Sequence, residues 1–214
     1  ARGVDTSGIR LIFVTHSIPV SMEAGSSPFP FRPSTDEATP ASGGHVEQQG
    51  SGASSQTGTP ATEISYVAQH HALIGAIMPE LRRILGRADL GYDLVYCSRS
   101  GPPQARWLEP DINDFLEEIA ADENLLTGTV VVPIGFICDH MEVVYDLDTE
   151  AKETAERLGI PYERADTVAT DPAFVSSLVD VLEERAAQAR GEQPVPVTVT
   201  GTGPFHTVCP SDCC

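Results

Sequence analysis

Thr127-Gly-Thr-Val-Val-Val-Pro-Ile-Gly-Phe-Ile-Cys-Asp-His-Met-Glu142, continuing as Val143-Val-Tyr-Asp-Leu-Asp-Thr-Glu150, decides the fold. Residues 127–134 form an apolar, β-branched run without the polar alternation of a one-sided strand. That is the pattern of a strand buried on both faces of a parallel sheet. The second part predicts a helix over 139–158, stopped by Gly159 with Pro161 beyond it. Working outward, residues 9–14 read as a buried strand, 92–97 as an alternating strand and 162–168 as a short one. Helices are predicted over 63–86, 112–124 and 172–190, the last with Asp171 as its N-cap and Pro172 at its first position. In the first of these, Ile64, Val67, Ala68, His71, Leu73, Ile74 and Ile77 suit one apolar face, with Pro79 as a kink. The alternation of strands and helices predicts an α/β fold, a doubly wound parallel sheet of the Rossmann type with helices on both faces. Such sheets bind ligands at the carboxyl ends of their strands, which singles out the loops 15–22, 98–110 and 135–142.

Composition bounds the partners. The 214 residues include 13 Lys+Arg and 31 Asp+Glu, a formal charge of −18, with 41% hydrophobic residues. This is enough apolar material for a core, and too acidic for a protein that tracks nucleic-acid phosphates. No apolar run reaches the roughly 18–20 residues of a transmembrane helix, and no signal-peptide pattern precedes the first strand. The expected organisation is one α/β domain over 1–200, interrupted by a disordered Ser/Gly/Pro-rich insertion at 22–62, and a Cys-rich tail over 201–214. Most of the charge sits in two stretches: seven acids without a base in 109–123, and thirteen acids with four bases in 139–185.

Spacing sorts those acids. Glu142, Asp146 and Glu150 stand at i, i+4 and i+8, one row along a helix face, although like charges at that spacing weaken a helix. A row of oxygen donors leading inward is a path for a divalent cation. His16 follows the first strand and Glu142 follows the third, so the fold lets them face each other across the cleft. One imidazole and one carboxylate suit Fe²⁺ or a similar borderline metal and leave coordination positions open.

These residues also carry a resemblance. Thr15-His-Ser-Ile-Pro-Val-Ser-Met22 is similar to the ferrochelatase segment that holds the active-site histidine, and Gly135-Phe…Asp139-His-Met-Glu142…Leu147-Asp148 resembles the ferrochelatase signature. Ser98-Arg-Ser-Gly-Pro-Pro103 with Trp107-Leu-Glu-Pro110 resembles the family's active-site loop, and Asp171-Pro-Ala-Phe174 with Leu178-Val-Asp180 its C-terminal helix start. The resemblance spans about residues 9–185 and corresponds to the C-terminal half of a two-lobed family. It implies insertion of Fe²⁺ into a porphyrin, coproporphyrin III or protoporphyrin IX, in haem biosynthesis. By the same resemblance His16 and Glu142 are the catalytic and metal-binding pair, and Asp146 and Glu150 the outer metal ligands. Asp139 and His140 are expected to orient Glu142 rather than to bind the metal, and Ser98 and Trp107 to line the porphyrin pocket. The N-terminal ferrochelatase half becomes an implied partner that this chain lacks.

Five cysteines remain: Cys97, Cys138, Cys209, Cys213 and Cys214. Three thiols crowded into a short tail favour metal or redox use, and an odd count disfavours a disulfide framework. Cys97 and Cys138 follow strands and are expected to be buried. The tail resembles that of ferrochelatases with a C-terminal [2Fe–2S] cluster, which implies Cys209, Cys213 and Cys214 as cluster ligands; a cluster takes four thiolates. The expected location is cytoplasmic. The alternative functions are a non-catalytic metal-binding or metal-delivery domain and a cobalt or nickel chelatase relative.

Overall fold

The structure is a computed structural model that describes residues 8–23, 65–101, 104–121 and 128–200. From residue 24 onward the expected insertion lies outside the described residues, as does the 201–214 tail with Cys209, Cys213 and Cys214. In chain order the elements are β1 (Ile9–His16), α1 (Val20–Glu23), α2 (Tyr66–Leu85), β2 (Asp93–Cys97), α3 (Ile112–Ala120), β3 (Gly128–Val132) and α4 (Met141–Tyr145). A π-helical segment (Asp146–Ala151), α5 (Lys152–Leu158), β4 (Tyr162–Arg164) and α6 (Pro172–Ala189) follow.

All four strands are parallel, in the order β2-β1-β3-β4. Consecutive side chains of β1 point to opposite faces, and both faces are covered. Ile12 and Val14 join Val95, Val131, Leu116, Val143 and Leu147 in the core beneath α3 and the α4–α5 helix. Leu11 and Phe13 pack with Ile74 and Met78 of α2 and with Leu90 on the other face. The sheet is therefore doubly wound. From β1 the chain runs outward to β2 and then returns to place β3 on the other side, so the strand order reverses between β1 and β3. In an open α/β sheet the crevice for a ligand opens at that reversal.

Local chemistry sets most helix ends. The Ser65 side chain accepts from the Ala68 N–H to start α2, and Gly86 ends it at φ 65°, in the left-handed region glycine tolerates. Asp111 accepts from the Asn113 N–H at α3 and Asp171 from Ala173 N–H at α6, with Pro172 in the first turn as expected. Gly159 stops α5.

Five expectations need correction. The predicted apolar face of α2 is out of phase. Ala68, His71 and Ile77 are exposed, and the inward row is Tyr66, His70, Ile74 and Met78, because the buried hydroxyl of Thr15 on the sheet draws the two polar side chains inward. The helix over 139–158 is interrupted by the π segment. The strand expected over 162–168 spans only Tyr162–Arg164, and α3 ends at Ala120 rather than 124. Cys97 is buried as expected, but Cys138 is exposed.

Among the described residues, apolar side chains are exposed on α6 and around the strand ends. On α6 only Ala187 is buried, while Val175, Leu178, Val179 and Leu182, at i, i+3, i+4 and i+7, form an exposed stripe. Around the strand ends Ile137, Met141 and Tyr145 are also exposed. Among the described residues, no helix is long and apolar enough to cross a membrane.

Phe13, 1% exposed at the centre of the α2-side core, provides a direct check of this packing. Phe13→Ala should lower stability by about 3–5 kcal/mol, measured as a lower midpoint of urea unfolding. An unchanged midpoint would contradict the burial.

Candidate active site

The last residue of β1 and the first turn of α4 bring His16 and Glu142 together. The Nδ1 atom of His16 lies 2.5 Å from the Ser17 carbonyl oxygen. A carbonyl only accepts, so Nδ1 carries the ring hydrogen, and in the neutral imidazole Nε2 presents its lone pair. Nε2 is 3.4 Å from Oε1 of Glu142. A lone pair facing a carboxylate is repulsive until a cation, either a proton or a metal ion, sits between the two. Both side chains are partly open to solvent, so such a cation has access.

Glu142 is placed by the turn after β3. The Gly135 N–H donates to the Val14 carbonyl at 3.3 Å, and a Cβ on Gly135 would lie 1.9 Å from Thr15 Oγ1 and 3.0 Å from the Thr15 Cα. Only glycine allows this approach to β1. Phe136 then turns into the core, and its ring meets the His140 ring edge-on with centroids 5.6 Å apart. His140 caps α4, its Nδ1 accepting from the Val143 N–H at 3.4 Å. Asp139 accepts from Arg164 at 2.9 Å, and Asp148 accepts both Arg164 Nε and Nη2, at 2.6 and 2.7 Å. His140 and Asp139 thus act on the helix that carries Glu142 rather than on its carboxylate.

The π segment reshapes the row of acids. Its i→i+5 bonding winds more slowly than an α-helix, and groups from β4 hold it in place. Tyr162 donates to the Leu147 carbonyl at 2.9 Å, and its phenol is pushed up mainly by burial. Arg164 grips Asp148 one residue on. Asp146 accepts a hydrogen bond from Ser98 Oγ at the end of β2, so Ser98 meets the acidic row as well as the loop expected to line a pocket. Glu150 lies farther out, in a polar groove with Asn113, Glu153 and Arg157. The structure thus brings His16 and Glu142 together, and Ser98 and Asp146 together. Among the described residues no group of three His, Cys, Asp or Glu side chains converges on a single metal position.

Loop 98–110 is stitched to the loop after β1. Ser17 N–H donates to the Cys97 carbonyl at 2.8 Å, Leu108 N–H to Ile18 at 3.0 Å and Val20 N–H to Arg106 at 2.8 Å. Trp107 leans on Gly101, where a Cβ would come within 2.5 Å of the indole. Its indole nitrogen is buried without a hydrogen-bond partner among the described residues. Burial pushes the Cys97 thiol, behind this loop, up to about 12.

Sequence reasoning missed Tyr66, His70, Tyr162 and Arg164. Tyr66 and His70 were visible as an i, i+4 pair in line with the apolar Ile74 and Met78; Arg164, a base within an acid-rich stretch, was the signal for the clamp on Asp139 and Asp148.

A parallel α/β sheet with an imidazole and a carboxylate opposed at its switch point defines the class. Comparison with known proteins names the family: a ferrochelatase model matches residues 2–186, and the chain belongs to the ferrochelatase family. It is 40% identical over 207 residues to a coproporphyrin III ferrochelatase of Streptomyces coelicolor, covering 97% of this chain and 47% of the relative. A coproporphyrin III ferrochelatase of Streptomyces griseus is 39% identical with the same coverage of both. A ferrochelatase of Rhodopirellula baltica is 45% identical over 123 residues, 58% of this chain and 34% of that protein. The chain spans about half the length of the curated relatives it matches.

Two outcomes follow from this geometry. Gly135→Ala should force β1 and the following turn apart, lower the unfolding midpoint and separate His16 from Glu142; a variant with wild-type stability and unchanged His16 ring NMR shifts would refute the contact. Iodoacetamide at pH 8 should modify exposed Cys138 well before Cys97, whose thiol stays protonated. Equal rates by peptide mass mapping would refute the burial.

Proposed function

We propose that the polypeptide carrying this chain is a ferrochelatase, a lyase that inserts Fe²⁺ into a porphyrin in haem biosynthesis, and that coproporphyrin III is the porphyrin. The observation that carries the reading is the 3.4 Å approach of His16 Nε2 to Glu142 Oε1, with Nδ1 already committed to Ser17. The substrate choice is supported by the relatives' names.

Metalation takes up one Fe²⁺ and releases the two pyrrole N–H protons. His16 Nε2 has a free lone pair to accept one of them or to meet the arriving ion, and the Glu142 carboxylate supplies the compensating charge. Asp146 and Glu150 extend the row of oxygens along the same helix toward solvent, a route by which metal enters and protons leave. Asp139 and His140 hold that helix in place. Ser98 and Trp107 sit on the loop beside the His16–Glu142 pair, where the partly exposed Trp107 offers the porphyrin an apolar face.

The other wall of the cleft comes from the remaining half of the polypeptide. The exposed α6 stripe and the Ile137, Met141 and Tyr145 rim support this, since an apolar area of that kind requires cover in water. The tail thiols Cys209, Cys213 and Cys214 bind a [2Fe–2S] cluster with a fourth thiolate. Cys97, buried and protonated, is unsuited to that place. An odd number of thiols fits a reducing compartment, and the protein works in the cytoplasm.

The test is anaerobic Fe²⁺ insertion into coproporphyrin III by the full-length polypeptide. His16→Ala and Glu142→Gln should each lose about 100-fold or more in kcat/KM, and wild-type rates in both would sink the assignment. Absence of iron and acid-labile sulfide from anaerobically purified protein would refute the cluster alone.

A further inference from the structure

Next to His16 lies a partly buried polar network that the proposed chemistry does not use. Thr15 is fully buried on the α2 face of the sheet. Its Oγ1 is 2.7 Å from the Tyr66 hydroxyl and 2.9 Å from His70 Nε2. The Tyr66 hydroxyl donates to the His16 carbonyl at 2.9 Å. His70 Nδ1 is 2.8 Å from the Tyr66 carbonyl, one helical turn back, and the two rings lie 4.4 Å apart. The fully buried Thr15 hydroxyl is costly in an apolar core unless bonded, and the partly buried phenol and imidazole supply those bonds.

The network ends on a specific peptide unit. The His16 carbonyl accepts from Tyr66, and the Ser17 N–H of the same peptide donates to Cys97 at 2.8 Å. This plane is held at both ends, by α2 and by β2. It sets the direction of the His16 side chain on one side and places the Ser17 carbonyl, which takes the Nδ1 hydrogen, on the other. We propose that Tyr66 and His70, acting through Thr15, are positioning residues that aim His16 Nε2 into the cleft. The proposal rests on the reading of His16 as the group that meets Fe²⁺ or the pyrrole protons.

Hydrogen counting makes the roles distinct. His70 Nδ1 faces a carbonyl and carries a hydrogen, and burial pushes the imidazole toward its neutral form. Nε2 therefore accepts from Thr15, and the single Tyr66 hydrogen serves both Thr15 Oγ1 and the His16 carbonyl. A side chain at 70 that donates to Thr15 frees the Thr15 hydrogen for Tyr66, so that Tyr66 donates wholly to His16. A side chain that neither donates nor accepts breaks the chain of bonds.

The experiment uses the full-length polypeptide in anaerobic Fe²⁺ insertion into coproporphyrin III, with separate KM values for Fe²⁺ and porphyrin and an unfolding midpoint for each variant. Tyr66→Phe, which keeps the ring, and His70→Leu should each raise the KM for Fe²⁺ about tenfold and leave the porphyrin KM unchanged. His70→Gln should recover most of the His70→Leu loss. Values of kcat and Fe²⁺ KM within about twofold of wild type in both Tyr66→Phe and His70→Leu would overturn the proposal. A lower midpoint with both KM values unchanged would also overturn it, because that is the mark of a role in stability alone. His16→Ala in the same series separates the two levels. If it is inactive while Tyr66→Phe is normal, only the positioning role fails; if His16→Ala is fully active, the function of the site fails with it.

Discussion

The contact between Gly135 and Thr15 is the constraint on which the rest of the site depends. β1 and β3 are neighbours in the sheet, and the chain leaving β3 must cross the end of β1 before the helix can begin. With a Cβ position 1.9 Å from Thr15 Oγ1, nothing larger than glycine fits there. The crossing carries Phe136 into the core, starts α4 four residues after the exposed Ile137, and brings Glu142 close to His16. A wider crossing would leave both side chains in place along the sequence but apart in space. The same Thr15 hydroxyl bonds Tyr66 and His70 of α2, so a single side chain of β1 meets both the turn after β3 and the helix packed on that face of the sheet.

The far edge of the sheet exerts the second control. β4 is only three residues long, yet it supplies Arg164, and with Tyr162 it reaches over the helix following β3. The Tyr162 hydroxyl takes the Leu147 carbonyl, and Arg164 takes Asp148. Leu147 and Ala151, at the ends of the same segment, are fully buried. These contacts make the wider turn tolerable: its strain is local, while the burial and hydrogen bonds that fix it come from another element. Function and core packing share this helix. Its inner face fills the core beneath β1 and β3, and its outer face carries the acids.

The parallel architecture was legible because β1 and β3 are apolar runs and the helices between strands have recognisable ends, such as Ser65 and Gly86, Asp171 and Gly159. The approach of His16 to Glu142 was legible for the same reason, since both fall at strand ends in such a fold. Two kinds of feature were not. The π turn has no local signature, because it is dictated by Tyr162 and Arg164 from a strand beyond the helix. The inward face of α2 was out of phase because apolar periodicity alone ranks Ile77 above Tyr66 and His70. A buried hydroxyl on the sheet outweighs that preference by offering hydrogen bonds no aliphatic side chain can use.

Arg164 also changes how the acidity of the chain is understood. Five acids lie between Asp139 and Glu150, and by sequence they are equivalent carboxylates on or before one helix. A single guanidinium accounts for two of them, Asp139 and Asp148, and is itself mostly buried between them, so neither is free to follow a passing cation. Those that remain are Glu142, Asp146 and Glu150, the i, i+4, i+8 set. Glu142 faces His16, Asp146 faces Ser98, and Glu150 opens to the groove beside Asn113. The row is therefore three separate carboxylates rather than one cluster. On the proposed reading of the row as a metal path, an ion held by one oxygen donor at a time is held weakly, and weak successive sites favour passage over storage.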